Sequence, residues 1–373
     1  MSATTIEWTQ RPGTKGETWN PTTGCNKVSQ GCKHCYAETM HKRLRAMHQP
    51  KYQHHFLGGV FTHPDTLTIP LQWKKPRTVF VNSMSDLFHA DVPFAFIDQV
   101  FAIMALTPQH TYQILTKRPE RMAEYFERIG TRRKEVFDKT SDGSTRADAQ
   151  FHTSFLVMME AIAIGWKGNI FPWPLPNVWL GTSVEDRRVL DRIDHLRRCP
   201  AVVRFISFEP LLGSVKGANL TGIHWAITGM ESGHHARPGH PVWAGEVRDM
   251  CAVERIAYFH KQNGEFTTDI NTGLHECDGK YIRGMWYVNL DGTHDTLTIA
   301  SDGRDFPSPT NERWGWEPCA GPRDQVKPGA VFVQKVGKHE SGNLLDGRTH
   351  LAYPEVVTLS LPKGAPTATP QPA

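Results

Sequence analysis

Residues 177–233 read NVWLGTSVEDRRVLDRIDHLRRCPAVVRFISFEPLLGSVKGANLTGIHWAITGMESG. Three runs in this stretch, NVWLGTSVED (177–186), VVRFISFEP (202–210) and IHWAITGMESG (223–233), are rich in β-branched and aromatic residues, and each closes in a polar cluster. A short apolar run bounded by turn formers reads as a strand buried on both faces. Working outward, VFVNSMSD (79–86) and TYQILTKRP (111–119) have the same form. Helix-compatible segments separate most of these runs. The clearest is PFAFIDQVFAIMAL (93–106), where Pro93 suits a first turn and apolar residues recur on one face. A further strand just before Asn20 gives about six βα units. The alternation predicts an α/β fold with a parallel sheet.

The polar residues fall at the C-terminal ends of the strands, the edge where α/β barrels and open parallel sheets bind ligands. Asn82, Ser83, Asp86, Thr116, Lys117, Arg118, Thr182, Ser183, Glu185, Ser207, Glu209, Thr228, Glu231 and Ser232 are all placed on one rim by this reading. A single polar strand end is ordinarily a turn. Its repetition over five strands marks the group as a candidate site.

The first strand leads into WNPTTGCNKVSQGCKHCYAETMHKRL, where Cys25, Cys32 and Cys35 are spaced C-x6-C-x2-C. Three thiolates can hold three irons of a [4Fe–4S] cubane and leave the fourth open. An open iron can chelate the amino and carboxylate groups of S-adenosylmethionine (SAM) and pass an electron to its sulfonium. The cleavage gives methionine and a 5′-deoxyadenosyl radical, chemistry that belongs to the cofactor. Gly24 and Gly31 suit a loop that bends sharply, and YAETMHKRLRAM after Cys35 reads as a helix. His34 is either a ring for the SAM adenine or a solvated loop residue. Tyr36 joins it among the candidate SAM-binding residues. Structural zinc is the competing reading. It needs a fourth ligand beside the thiols, with His34, His41 or His48 available, and no second C-x2-C exists. Cys199, Cys251, Cys277 and Cys319 read as core or inert thiols, with Cys277 and Cys319 able to meet.

Seven cysteines, three of them within eleven positions, do not form a disulfide framework and fit one metal site in a reducing cytoplasm. No 18-residue apolar stretch marks a membrane span, and the N-terminus lacks a signal-peptide pattern. A formal charge of +4 permits an anionic partner without demanding one. Residues 1–265 read as the main domain, interrupted at 130–175 by a charged insertion. Residues 266–330 read as a small β-rich insertion, flanked by the similar runs AYFHKQNG (257–264) and VFVQKVG (331–337). Residues 331–360 then return to the main domain, and 361–373 form a disordered Pro/Thr tail.

GCNKVSQGCKHCYAE (24–38) resembles the signature of a phage- and prophage-encoded family of three-cysteine-motif radical SAM proteins. NSMSDLFH, ILTKRP, WLGTSVED, FISFEPLLG, ITGMESG with a following ARP, FHKQNG, and LLDGRTH with YPE fall in that family's order. The resemblance covers nearly the whole chain outside the insertions and tail. It implies an incomplete (β/α)6 radical SAM-type barrel, a [4Fe–4S] cluster on Cys25, Cys32 and Cys35, and SAM as cofactor. The first cysteine gap is three residues longer than the superfamily's usual C-x3-C-x2-C, and Met230 interrupts what is often a Gly-Gly-Glu-Ser-Gly run. By the same resemblance, Asn82, Ser83 and Asp86 lie where the methionyl amino group is bound, and Glu209 and Glu231 face ribose hydroxyls or substrate. Thr182, Ser183 and Ser207 complete the candidate cofactor-binding set, and Lys117 joins Glu209 and Glu231 as the candidate catalytic groups.

The phage context implied by the resemblance points to a base or nucleotide in DNA modification, with rearrangement of a modified pyrimidine as one outcome. Lys117-Arg118, Arg187-Arg188 and KRLRAMHQPKYQHH offer phosphate contacts, although each alone reads as a solvated face. A base must be flipped or single-stranded to reach a barrel mouth. A peptide or metabolite maturase and a non-catalytic zinc-stabilised binding protein are the alternatives. The implied partners are a flavodoxin- or ferredoxin-like electron donor and a neighbouring three-Cys-motif protein, in the cytoplasm of an infected or lysogenic host and away from membranes.

Overall fold

The computed structural model describes residues 4–128, 173–267, 285–296 and 327–355. Seven strands form one sheet: β1 (Lys15–Trp19), β2 (Arg77–Val81), β3 (Thr111–Thr116), β4 (Val178–Ser183), β5 (Val203–Phe208), β6 (Trp225–Gly229) and β7 (Ala257–Gln262). They are ordered in the sheet as in the chain, and every neighbouring pair is parallel. The strand-like runs expected from the sequence are all present, and AYFHKQNG supplies a seventh strand beyond the expected six.

Alternate residues of each strand serve two apolar layers. Val79, Val81, Ile114, Leu180, Ile206 and Ala226 face the larger core with the helices. Phe80, Trp179, Phe205, Trp225, Ile227 and Phe259 face a second cluster built around Trp8. Trp8 shows that the sheet is curled. Its ring lies 4.8 Å from Phe80 on β2 and 6.3 Å from Trp225 on β6. In a flat sheet four strand spacings would separate those strands by about 19 Å. One indole can touch both only if the sheet closes towards itself, as in a partial α/β barrel.

Helices cross between strands: α1 (Tyr36–Ala46), α2 (Phe94–Leu106), a helical stretch at 119–128, α3 (Asp191–Arg197) and α4 (Pro241–Glu254). The one-faced pattern expected of α2 understates its burial. Nine of its thirteen residues are buried, because the 119–128 stretch packs Tyr125 against Phe94 and Phe101 while the sheet takes the other side.

Val331–Lys335 does not repeat the role of β7, despite the similar sequence. It pairs antiparallel with Phe266–Thr267 and Met285–Val288 in a separate four-stranded sheet that also holds His294–Thr296. The chain then returns along β7, where Leu351 bridges Phe259 and the His350 carbonyl accepts from His260 N at 2.7 Å. This segment covers an edge that would otherwise present unpaired backbone groups. Most of the 130–175 and 266–330 segments, Cys277, Cys319 and the 361–373 tail lie outside the described residues. Among the described residues no helix is long and apolar enough to cross a membrane.

Candidate functional site

The cysteine loop leaves the end of β1 and is tied down by the loop after β2. Asn20 Oδ1 accepts from Ser83 Oγ and Met84 N, both at 3.1 Å, and Asn82 Oδ1 accepts from Thr22 N at 3.3 Å. Asn82 itself adopts φ 60°, a left-handed conformation that Asn tolerates better than most residues. Its Nδ2 is buried and has no hydrogen-bond partner. The two loop glycines serve different ends. Gly24 has φ 89°, and a Cβ there would strike the Gly59 carbonyl; a Cβ on Gly31 would strike the Glu185 carboxylate. The first glycine makes the turn, and the second permits close approach.

Cys25 and Cys35 are half-buried and Cys32 is buried. Burial pushes the Cys25 thiol up to about 11, helped by the Asp86 charge and opposed by Arg118, whose Nη1 lies 3.6 Å from Cys25 Sγ. Burial also raises Cys35, which caps α1, and the backbone N–H groups of Glu38 and Ala37 oppose it. Cys32 lies within electrostatic reach of both other thiols. Among the described residues no three His, Cys, Asp or Glu side chains are gathered as around a metal ion. The three thiols are the soft donors this rim offers.

Carboxylates held by cations surround the loop. Asp86 accepts from Thr116 Oγ1 (2.7 Å), Phe88 N (3.0 Å), Lys117 N (3.0 Å) and Arg118 Nη1 (2.9 Å). With both oxygens engaged, Asp86 aims Arg118 at the cysteine loop, where Nη2 donates to the carbonyl and side chain of Asn26 at 3.0 and 2.6 Å. Glu185, 1% exposed, binds Lys117, Ser29 Oγ (2.8 Å) and Arg192 Nη1 (3.0 Å). Glu231 takes a bidentate grip from Arg237, with Nε at 2.8 Å and Nη2 at 2.6 Å, and Arg237 Nη2 also donates to the Gln30 carbonyl at 3.0 Å. Glu209 pairs with Lys261 at the end of β7. The loop after β1 is thus joined to those after β3, β4 and β6, as the curl of the sheet requires.

The remaining predicted residues divide. His34 stacks against His235 with ring centres 5.9 Å apart, and Tyr36 is 64% exposed beside the loop. Burial lowers the His34 pKa, with Glu231 opposing and Arg237 adding to the shift. Thr182 Oγ1 donates to the Thr116 carbonyl at 3.0 Å. The Ser183 carbonyl accepts from Arg192, and the Ser207 carbonyl from Val184 N, each at 2.9 Å; Thr182 and Ser207 tie neighbouring strands together, and Ser183 ties β4 to α3. Sequence reading placed Glu185 on the rim without a role, offered Arg118 as a phosphate contact rather than a partner of Asp86, and missed Arg192, Arg237 and Lys261 as partners. The ARP and FHKQNG motifs carried Arg237 and Lys261 in plain sight. Nothing local joined Glu185 to Ser29, which is 156 residues away. Cys199 and Cys251 are buried among the helices, and burial pushes both thiols up to about 12.

A family model described as a protein of unknown function, DUF5131, matches residues 3–354. No curated protein and no solved structure matches the chain.

Proposed function

The chain belongs to the DUF5131 family, and we propose that it is a radical SAM enzyme whose [4Fe–4S] cluster is carried by Cys25, Cys32 and Cys35. The observation that supports this reading best is the placement of three thiols on one loop at the C-terminal mouth of a parallel partial barrel. When bound, the cluster supplies the electron that breaks a carbon–sulfur bond of SAM. The chain's residues position the parts. Arg118, fixed by Asp86, offers charge-assisted N–H groups beside Cys25. The start of α1 offers amides to Cys35 that oppose the upward shift burial gives its thiol. Glu209 and Glu231 present carboxylate oxygens that accept from hydroxyl or amine groups, and Lys261 and Arg237 fix their orientation. Lys117 is held by Glu185 at the same rim.

The substrate in this reading is a pyrimidine base of phage DNA or its nucleotide, flipped or single-stranded, acted on in the host cytoplasm. The net charge of +4 is small for tight duplex binding by electrostatics alone. Anaerobic reconstitution should give about four irons and four sulfides per chain. Replacing Cys25, Cys32 or Cys35 with Ala should abolish uptake, and Cys199→Ala should not. Reduced protein with SAM should release 5′-deoxyadenosine, faster with phage DNA or nucleotides than with peptides. Stoichiometric zinc without iron uptake would overturn the reading. Stimulation by a peptide alone would replace the DNA substrate with a peptide.

A further inference from the structure

Asp86 and Arg118 form a buried ion pair against the first cysteine of the loop, and they are 5% and 8% exposed. Arg118 Nη1 stands between Asp86 Oδ2, at 2.9 Å, and Cys25 Sγ, at 3.6 Å. Its other terminal nitrogen, Nη2, donates to the carbonyl and the side chain of Asn26, and Asn26 Oδ1 also lies 2.8 Å from His89 Nε2. Both ends of the guanidinium fork are thus engaged at this corner, an arrangement that the point charge of a lysine does not reproduce. The other two cysteines are set differently. Ser29 Oγ lies 3.9 Å from Cys32 Sγ, and backbone amides face Cys35. Among the described residues, Arg118 is the cation within hydrogen-bond reach of a loop sulfur.

A buried ion pair adds little stability, because attraction and desolvation nearly offset each other. Its position beside a sulfur gives this pair another use. An iron–sulfur group becomes more negative when it is reduced. A nearby cation and charge-assisted N–H groups favour that change, and a nearby anion opposes it. Both charges lie within electrostatic reach of the Cys25 sulfur, with opposite sign, and burial limits their screening. We propose that the Asp86–Arg118 pair sets the reduction potential of the iron–sulfur group on Cys25, with Arg118 raising it and Asp86 holding it down. The inference rests on the radical SAM reading. One electron passes to the group from a low-potential reductant, the methyl viologen radical cation in the test below, which is left as the dication; no bond or proton is exchanged. Asp86 needs no contact with SAM for this role, since its oxygens already accept four hydrogen bonds. Both members of the pair act through the sulfur and are positioning residues.

The test is a potentiometric titration of the full chain after anaerobic reconstitution, without SAM, with methyl viologen as reductant and the reduced cluster read by electron paramagnetic resonance. At a fixed potential, Arg118→Gln should hold roughly tenfold less reduced cluster relative to oxidised, a fall of about 59 mV for one electron. Arg118→Lys keeps the charge without the fork and should recover part of that shift. Asp86→Asn keeps an acceptor for Arg118 and removes the charge, so it should move the ratio the other way by roughly threefold or more. Lys42→Gln removes a cation that is 72% exposed on α1 and should leave the ratio within about 1.5-fold. A structural role alone changes iron content and leaves the potential in place. If Arg118→Gln takes up no iron, Arg118→Lys and Asp86→Asn carry the test. Iron uptake with equal potentials throughout, or with Arg118→Lys and Asp86→Asn shifted in the same direction, overturns this inference and leaves the radical SAM reading standing. A wild type that takes up no iron overturns that reading and this inference with it.

Discussion

Inside the curl of the sheet, Trp8 lies edge-on to Phe80 and Trp225 and tilted against Phe205 in a largely aromatic cluster, where the Arg11 guanidinium stacks 4.4 Å from the centre of the Trp179 ring. Beyond the strand ends, Asp86, Glu185, Glu209 and Glu231 are each held by a Lys or Arg. The same strands therefore close one layer by dispersion and water exclusion, and the other by paired charge. The difference has an energetic meaning. Aromatic packing stabilises whatever the pH or salt, whereas buried ion pairs roughly cancel their own desolvation and chiefly fix geometry. The inner layer should hold the fold, and the rim should hold the site.

The largest expected effect breaks the inner layer. Trp8 is 2% exposed and links strands that are far apart in the sheet order. Trp8→Ala should cost about 3–5 kcal/mol, the range for a large aromatic removed from a core, read from chemical denaturation. A loss under about 0.5 kcal/mol, the scale of an ordinary surface change, would mean that the curl does not depend on Trp8.

Trp8 also shows where sequence reading stops. It stands in a short N-terminal segment without periodicity, and nothing local announces that it fills the barrel. The strands were legible because an apolar run ending in polar residues is a local pattern. Val331–Lys335 has that same pattern and still pairs antiparallel in the small sheet, because partner choice is tertiary. On the rim, the cysteines and most carboxylates were legible as residue types. Their partners were not: Asp86 meets Arg118 across 32 residues and Glu209 meets Lys261 across 52. Gly31 was read as a turn glycine, and its contact with Glu185 depends on a loop three strands away in the sheet.

The second prediction sharpens the contrast with a titratable group set in apolar packing beneath the sheet. His110 is 1% exposed, sits edge-on to Trp73, and places Nε2 3.3 Å from the Pro70 carbonyl. Burial holds its pKa down to about 4 from 6.5, with the Arg77 charge adding to the shift and the carbonyl opposing it. Above pH 6.5 neither the folded nor the unfolded chain binds this proton, and the full stability is present. As pH falls from 6.5 towards 4, the unfolded chain binds a proton that the folded chain refuses, so stability declines. The loss should be about 2–3 kcal/mol over that window, measured as unfolding free energy at several pH values. His110→Gln should flatten part of the slope. His63, held to about 4 mainly by burial, supplies a further part. An unchanged slope in His110→Gln would place the acid sensitivity elsewhere.

The smallest expected effect concerns a rim pair. Burial alone would lower the Lys261 pKa, and the Glu209 charge and hydrogen bond more than offset it, so the Lys261 pKa is raised. Glu209 keeps 20% of its side chain exposed, which screens the interaction. Lys261→Met or Glu209→Leu alone leaves a partly buried charge without its partner and should cost about 1–2 kcal/mol. The double variant, which removes both charges, should lie within about 1 kcal/mol of the wild type. The cycle then gives the coupling directly. Glu7 qualifies the expectation: its Oε2 is 4.0 Å from Lys261 Nζ, and its other oxygen accepts from Lys338 at 2.9 Å. Glu7 is the residue before Trp8, so this contact links the rim to the inner layer. If the two single losses simply add in the double variant, Lys261 and Glu209 are uncoupled and Glu7 is the carboxylate that holds Lys261. The two layers would then be coupled through the N-terminal segment, and charge at the rim would help to seat the aromatic that closes the barrel.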